Sequence, residues 1–442
     1  MTIPLDRLYN YILSVANKTY SDDVIIYRFW PHGSKNLANL ISLTPGSWTR
    51  FHMSLPIYCN DQEPLQYDFY QNIEQDQSFS NLVDEWKKIS KSIDNADLGP
   101  KNLKKCPNVF KRSILLHSEK RSLNLEKYQQ DGGWSPAYYW SHGIIARDWF
   151  RYAEHVEQKK QCKKLFLIYN RAWSGTREYR LKFMELLLKK QLHNHCKTTF
   201  NPLEPELVVH YSLHEFCNPV WKPTMILEDY FPLNNISSHY SADFEIEDYE
   251  STDIEIVLET LFDDNRLHLT EKSLRPISCA QPFILAGTHG SLEYLREYGF
   301  KTFGNIWDES YDQIEDPKER LIRIADLMRV IADWTPEQRT SKMAQAQSIA
   351  DHNKDHFFSR NFFDMLENEL TANLKLAFEV SANNSNNYSA WLERWNRILL
   401  NHQALEFLNN NQNMYLPSLS QVELAMAHVK NKLAEDISPK PH

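Results

Sequence analysis

Two segments carry the residue types that a nucleotide requires. In Leu267–Phe303, the strand-like LHLT leads into Thr270, Glu271 and Lys272, where a helical pattern begins. Open α/β sheets bind ligands at the carboxyl ends of their strands, where helix N-termini present free N–H groups to phosphate. At such a point Lys272 neutralises a phosphate and Glu271 accepts hydrogen bonds from ribose hydroxyls. The plainer alternative is a capping residue beside an exposed ion pair. In Leu165–Leu188, a buried strand delivers Asn170 and Arg171 into the small-residue turn Ser174-Gly175-Thr176, and Arg177 and Arg180 then open an amphipathic helix. Arginines in a first helical turn oppose the macrodipole at a cost of about a few tenths of a kcal/mol unless an anion lies between them. The alternative is that they pair with the acidic stretch 243–264.

The first half of the chain offers groups for the other side of a transfer. Pro56–Tyr70 reads as a strand ending in Asp61, Gln62, Glu63 and Pro64, and carboxylates at a strand end are where a general base for an acceptor hydroxyl is expected. LLHSEK places His117 and Glu119 after another strand, and SHGIIARDWFRYAEH supplies His142, Gly143, Arg147 and Asp148. Such residues are also common in purely structural roles. His193, His195, Cys196, His210, His214 and Cys217 gather in one stretch, and His210 and His214 at helical spacing would suit zinc. The paired-cysteine spacing of structural zinc sites is missing, so we expect no metal.

These groups need elements to hold them. Short apolar runs at Val24–Tyr27, Ser54–Tyr58, Ser113–Leu116 and Leu165–Tyr169 have strand length, and they alternate with helical patterns such as Ile144–His155 and Arg177–Gln191. That alternation predicts α/β structure with parallel sheets. A second series of strand candidates continues through Met225–Leu227, Ile254–Leu258 and Phe283–Ala286 to Thr302–Phe303. A boundary is expected near Gln158–Lys164, where KKQCKK interrupts the apolar pattern. Beyond Asp316 the pattern is nearly continuous helix, with Thr335 expected as an N-cap ahead of Pro336. The expected domains are 1–158, 159–335 and a helical segment 336–442.

The 442 residues suffice for about three domains. With 42% hydrophobic and 24% charged residues the composition is that of a soluble globular protein. No apolar run reaches the ~18 residues of a membrane span, and no secretory signal opens the chain, so we expect a cytoplasmic protein without membrane contact. Six scattered cysteines without a CxxC pair fit reduced, mostly buried thiols. The net charge of −9 argues against a global pull towards polyanions. Locally, Trp86–Leu125 holds ten Lys/Arg against three acids, and Asp243–Asp264 holds ten acids and no base. Solvated loops explain both simply, although the basic stretch also offers a landing site for a polyanion.

VLET (257–260), LHLTEK and PFILAG together resemble the donor-site signature of the α1,3-fucosyltransferases of glycosyltransferase family 10. In that family a strand with a Glu precedes a Thr-Glu-Lys block that grips a nucleotide-sugar, which here implies Glu259, Thr270, Glu271 and Lys272. The family's arginine in the first turn after the first donor-domain strand is matched best by Arg180, with Arg177 in reserve. Its catalytic base, a Glu in a Glu-x-Pro-like element, is matched by Glu63, with Asp61 as the second choice. His268 replaces the family's aromatic residue and Thr260 its Asn, so the sugar and the nucleotide base stay open. DQEPL, LLHSEK, SHGIIARDWFRYAEH and LTEKSLRPI also resemble glycosyltransferase-like proteins of tailed phages.

The resemblance implies two Rossmann-like domains across a cleft, the GT-B arrangement, with C-terminal helices packing back. It further implies inverting transfer without a metal or other cofactor from a nucleotide-sugar, with His117, Glu119, His142 and Asp148 on the acceptor side. The acceptor is a glycan hydroxyl or a hydroxylated or hydroxymethylated base in phage DNA, where phosphate contacts would supply affinity and the base would leave the stack. The competing reading is a non-catalytic scaffold that binds nucleic acid or a partner protein.

Overall fold

The computed structural model describes residues 6–19, 24–28, 55–60, 114–122, 135–205, 209–231 and 242–383. Glu63 and Asp61, and most of the basic stretch 86–125, lie outside them. The described chain is mixed α/β with parallel sheets. Its first elements are helix α1 (Asp6–Thr19) and strands β1 (Val24–Arg28), β2 (Leu55–Asn60), β3 (Ile114–His117) and β4 (Ser135–Tyr138). They are followed by helix α2 (Ser141–Trp149), strand β5 (Lys164–Asn170), helix α3 (Tyr179–Lys189), strand β6 (Cys196–Phe200), helix α4 (Ile246–Glu250) and strand β7 (Thr252–Leu258). The rest is α5 (Glu271–Ser278), β8 (Phe283–Ala286), α6 (Ser291–Glu297), α7 (Pro317–Ala332), α8 (Pro336–Phe358) and α9 (Arg360–Asn383).

Two compact units divide these elements: one contains the sheet β1–β4, and the other contains Glu119–Ser122 and Trp140–Asn368. The first sheet runs in the sequential order β1-β2-β3-β4, all parallel, with no reversal among its described strands. The second runs β6-β5-β7-β8, also all parallel. From β5 the chain goes outward to β6 and then returns to place β7 on the other side, so the order reverses between β5 and β7. In a doubly wound sheet that reversal opens a crevice at the carboxyl ends of the two strands. Right-handed crossovers to opposite sides put α3 and α5 on opposite faces of this sheet.

Register shows what each face holds. Phe166 lies opposite Ile254 and Leu167 opposite Glu255. With side chains alternating along a strand, Phe166, Ile168, Asn170, Ile254, Ile256 and Leu258 share one face, while Glu255, Val257 and Glu259 point to the other. Phe166, Ile168, Ile254 and Ile256 are fully buried and form the core under α3. On the opposite face Glu255 is also fully buried, where Arg275 of α5 and the Tyr249 hydroxyl (2.7 Å) satisfy it.

Several expectations change here. The Met225–Leu227 run is a turn region and not a strand, with Ile226 58% exposed just after Pro223. Thr302–Phe303 is likewise irregular, whereas β6 is a strand despite its polar Lys197-Thr198-Thr199 centre, which suits a sheet edge. The acidic stretch 243–264 is not a solvated loop, for it contains α4 and the buried β7. Asp263 accepts from the Trp221 indole (2.8 Å), and Asp264 pairs with Arg266 (2.6 Å). Among the described cysteines, Cys196 and Cys279 are buried and Cys162 and Cys217 exposed. The contact boundary falls at Trp140 and not at Lys159, because α2 packs on α5 and the Trp140 indole donates to the Leu269 carbonyl (2.8 Å). α7 and α8 belong to the same unit as the second sheet.

Among the described residues no helix is long and apolar enough to cross a membrane. α8 starts where its sequence says it should. The Thr335 hydroxyl accepts from Gln338 N (3.2 Å), the Gln338 side chain accepts from Thr335 N (3.0 Å), and Pro336 occupies the first turn. Replacing Thr335 with alanine is expected to cost about 1 kcal/mol, read as a lower urea midpoint, and a midpoint equal to wild type would contradict a stabilising capping box.

Candidate nucleotide site at the strand ends

Glu259 directly follows β7, points to the α5 face and is fully buried. Its Oε1 accepts from Thr270 N (2.9 Å), Ser273 N (3.3 Å) and Ser273 Oγ (2.6 Å), and its Oε2 from Thr270 Oγ1 (2.7 Å) and Thr260 N (3.0 Å). One carboxylate therefore holds the loop 260–269 and the first turn of α5. Negative charge against a helix N-terminus is favourable, and this carboxylate is committed to positioning that helix.

The residues it positions are Thr270, Glu271 and Lys272. Thr270 is the N-cap, and its hydroxyl accepts from Lys272 N (3.4 Å). Lys272 Nζ donates to Thr260 Oγ1 (3.1 Å), Thr270 Oγ1 (3.2 Å) and Glu271 Oε1 (2.7 Å), with its side chain 13% exposed. The other oxygen of Glu271 lies 3.2 Å from His142 Nε2. Burial alone would raise the Glu271 carboxyl, but the Lys272 ammonium and then His142 outweigh it and hold it well below the usual carboxylate range. The ion pair is thus largely buried, unlike the exposed pair of the plainer sequence reading.

Asn170 ends β5 on the opposite face, fully buried, and neither Oδ1 nor Nδ2 of its side chain has a hydrogen-bond partner. A buried amide without partners carries a desolvation penalty, and such a group at a switch point marks a place for a ligand or water. Arg180 of α3 reaches the same strand ends. Its Nη1 donates to Ala172 O (2.6 Å), its Nη2 to Leu258 O (2.7 Å) and Glu259 O (3.1 Å), and its Nε has no partner. Burial lowers its pKa, and among the described residues no carboxylate lies within ion-pair distance of it. Tyr179 beside it donates to Glu259 O (2.7 Å).

Arg177 precedes α3 and is half-buried, with its Nε donating to Ser174 O (3.2 Å) and no carboxylate within ion-pair distance among the described residues. It keeps both terminal nitrogens, whereas each terminal nitrogen of Arg180 already donates to a carbonyl. Arg171 is half-buried in the loop after β5. That loop turns at Gly175 with φ +61°, in the left-handed region that glycine favours. Its two successive N–H groups, from Trp173 and Ser174, donate to Glu204 Oε2 (2.8 and 3.0 Å), and Glu204 is fully buried. A carboxylate of the chain itself therefore occupies this backbone anion position.

The remaining candidates lie elsewhere or act differently. Glu119 is buried against Arg266 (3.0 Å), which also grips Asp264. Asp148 closes the end of α2 through Arg151. His117 belongs to the other unit, where its ring meets Tyr138 edge-on at 5.7 Å. His142, expected on the acceptor side, touches Glu271. Glu204, Tyr179 and Arg320 carry no motif that reveals them. Arg320, on the first turns of α7, braces the same loops by donating to Gly287 O (3.1 Å) and Phe262 O (2.5 Å), and burial lowers its pKa to about 10.

No group of three His, Cys, Asp or Glu suited to a metal occurs among the described residues. His210 and His214 flank a three-residue 3-10 turn and do not share a helical face. His210 pairs with Glu228 (3.4 Å) and His214 with Glu178 (2.9 Å). What the strand ends do assemble is two buried cations, a third with spare donors, one shared carboxylate and an unpartnered amide, which is a chemistry for anions and hydroxyls. No protein-family model, curated protein or solved structure matches the chain.

Proposed function

We propose that this protein is an inverting glycosyltransferase of the GT-B arrangement, which moves a sugar from a nucleotide-sugar to an acceptor hydroxyl. The observation that carries the reading is the concentration of Arg177, Arg180, Lys272 and the partnerless Asn170 amide at the reversal between β5 and β7. Departure of a nucleoside diphosphate leaves negative charge that fixed cations stabilise in a water-poor site. Arg177 meets that charge first, because Arg180 is tied to backbone carbonyls and tunes the field from behind. Lys272 joins it when a phosphate draws the ammonium from Glu271, and Glu271 then accepts from the ribose. Asn170 supplies a donor and an acceptor to a ligand hydroxyl. By the family resemblance Glu63, or else Asp61, removes the proton of the attacking hydroxyl.

The acceptor hydroxyl belongs to a glycan or to a hydroxymethylated base in DNA. Binding to such DNA would fall steeply with salt, and a flat salt response would leave the glycan. The reading is tested by a thermal-shift screen against UDP, GDP, CMP and ADP and their sugars, repeated with Arg177→Ala. A base-specific rise in midpoint that the variant reduces by at least half supports a donor site with Arg177 on the phosphates. No shift with any compound overturns the transferase and returns the chain to a non-catalytic scaffold.

A further inference from the structure

His142 lies on α2, far from α5 in sequence, yet its Nε2 is 3.2 Å from Glu271 Oε2 and its Nδ1 is 3.2 Å from Ser141 Oγ. The ring is 3% exposed and meets His268 edge-on at 5.0 Å and Trp149 at 6.0 Å. It is thus shut off from direct contact with a ligand in solution. A Ser141 hydroxyl donating to Nδ1 fixes the tautomer that leaves Nε2–H for the carboxylate. On the other side, Glu271 Oε1 is held by Lys272, whose three N–H bonds are all committed to Thr260, Thr270 and Glu271. A phosphate cannot gain the ammonium unless Lys272 gives up one of these acceptors. If that acceptor is Glu271, a carboxylate only 5% exposed loses its cation, which is costly without a second partner.

We propose that His142 is a positioning residue, which keeps the Glu271 carboxylate oriented and satisfied while Lys272 passes from Glu271 to a diphosphate, freeing Oε1 for a ribose hydroxyl. This rests on the donor-site reading above. It goes beyond it by making the Lys272–Glu271 pair a latch that the ligand opens, with the imidazole as the fixed hinge of the exchange. Groups that orient metal-ligating side chains from behind are typically worth about 10–100-fold in affinity or activity, and the same scale is expected for a group that orients a carboxylate behind a diphosphate.

The test uses the full chain and titrates UDP, GDP and ADP calorimetrically into wild type and into the His142→Ala, His142→Asn and His142→Gln variants. The diphosphate that binds wild type is expected to bind the alanine and asparagine variants about tenfold or more weakly. Glutamine, whose amide reaches as far as Nε2, is expected to recover most of the loss, and added imidazole to restore part of it in His142→Ala. A purely packing role would be restored equally by thiophene, which fills the same cavity without an N–H donor. Should the alanine variant fail to fold, the asparagine and glutamine pair still decides the matter. Equal affinities in wild type and His142→Asn would overturn the positioning role and leave the donor site standing. Absence of binding by wild type would overturn both.

A second readout needs no ligand. Glu271 has a depressed pKa in the folded chain, so its contribution to stability is present above the ordinary value of ~4.5 and is lost as pH falls through the folded value. With His142→Ala, part of that depression disappears and the acid loss of stability is smaller relative to the neutral-pH reference. An unchanged acid limb would count against the proposed hold on Glu271.

Discussion

Lys272→Ala is expected to abolish nucleotide-sugar turnover, by about 100-fold or more, while lowering the thermal midpoint of the ligand-free protein only slightly. The asymmetry arises from the contacts. The ammonium stands at the N-terminal end of α5, and on the proposed reading it meets a departing phosphate, where removing such a group typically costs about 2.7–4 kcal/mol of transition-state stabilisation. Without a ligand, its loss leaves the Thr270 hydroxyl with Glu259 and Glu271 with His142, while the hydroxyl of the half-buried Thr260 turns to water. The variant therefore separates a functional lysine from a structural one. Turnover within a factor of three of wild type would sink the assignment, as would a collapse of the midpoint with full activity in the surviving protein.

Glu259→Ala is expected to show the reverse balance. Its carboxylate serves three backbone or side-chain groups through Oε1 and two through Oε2, all within the buried loop and first turn of α5. Deleting it strands several buried donors at once, and breaking such a buried charged hub costs about 3–5 kcal/mol. Chemical denaturation followed by a probe in the second unit measures it, and proteolysis of the 260–269 loop should quicken in parallel. Glu259→Gln is expected to recover little, because its NH₂ group must face donors whichever way the amide is turned. A loss under about 1 kcal/mol would mean that the loop is held by its packing alone.

Parts of this arrangement were legible in the sequence for plain reasons. β5 and β7 are apolar runs of strand length, each giving way to polar residues at its carboxyl end, so Asn170 and Glu259 announce themselves as strand-end residues. LHLT, expected as strand-like, forms only a single bridge from Leu267 to Lys120, and the Thr270–Lys272 block opens a helix without a strand before it. β6 was hidden because an edge strand needs few apolar residues, and CKTTF has a polar centre. Met225–Leu227 misled because an apolar triplet carries no information about partners. The partners of Arg180 are carbonyls, which every residue has, so no residue type points to them. The link between His142 and Glu271 depends on packing of α2 on α5, and neither segment encodes the other's position. The acidic stretch read as solvated for the same reason: Arg275 and Arg266 neutralise parts of it and the Trp221 indole donates to it from outside the stretch.

The carboxylate of Glu204 on the N–H groups of Trp173 and Ser174 has a consequence for competition. A tethered anion faces its site at an effective concentration of millimolar or more, without the loss of translational freedom that a free phosphate suffers. Any ligand that sought those two N–H groups would have to outcompete a rival that never diffuses away. The loop after β5 is thereby closed to casual anions such as inorganic phosphate, which leaves any anion at these strand ends to side-chain donors.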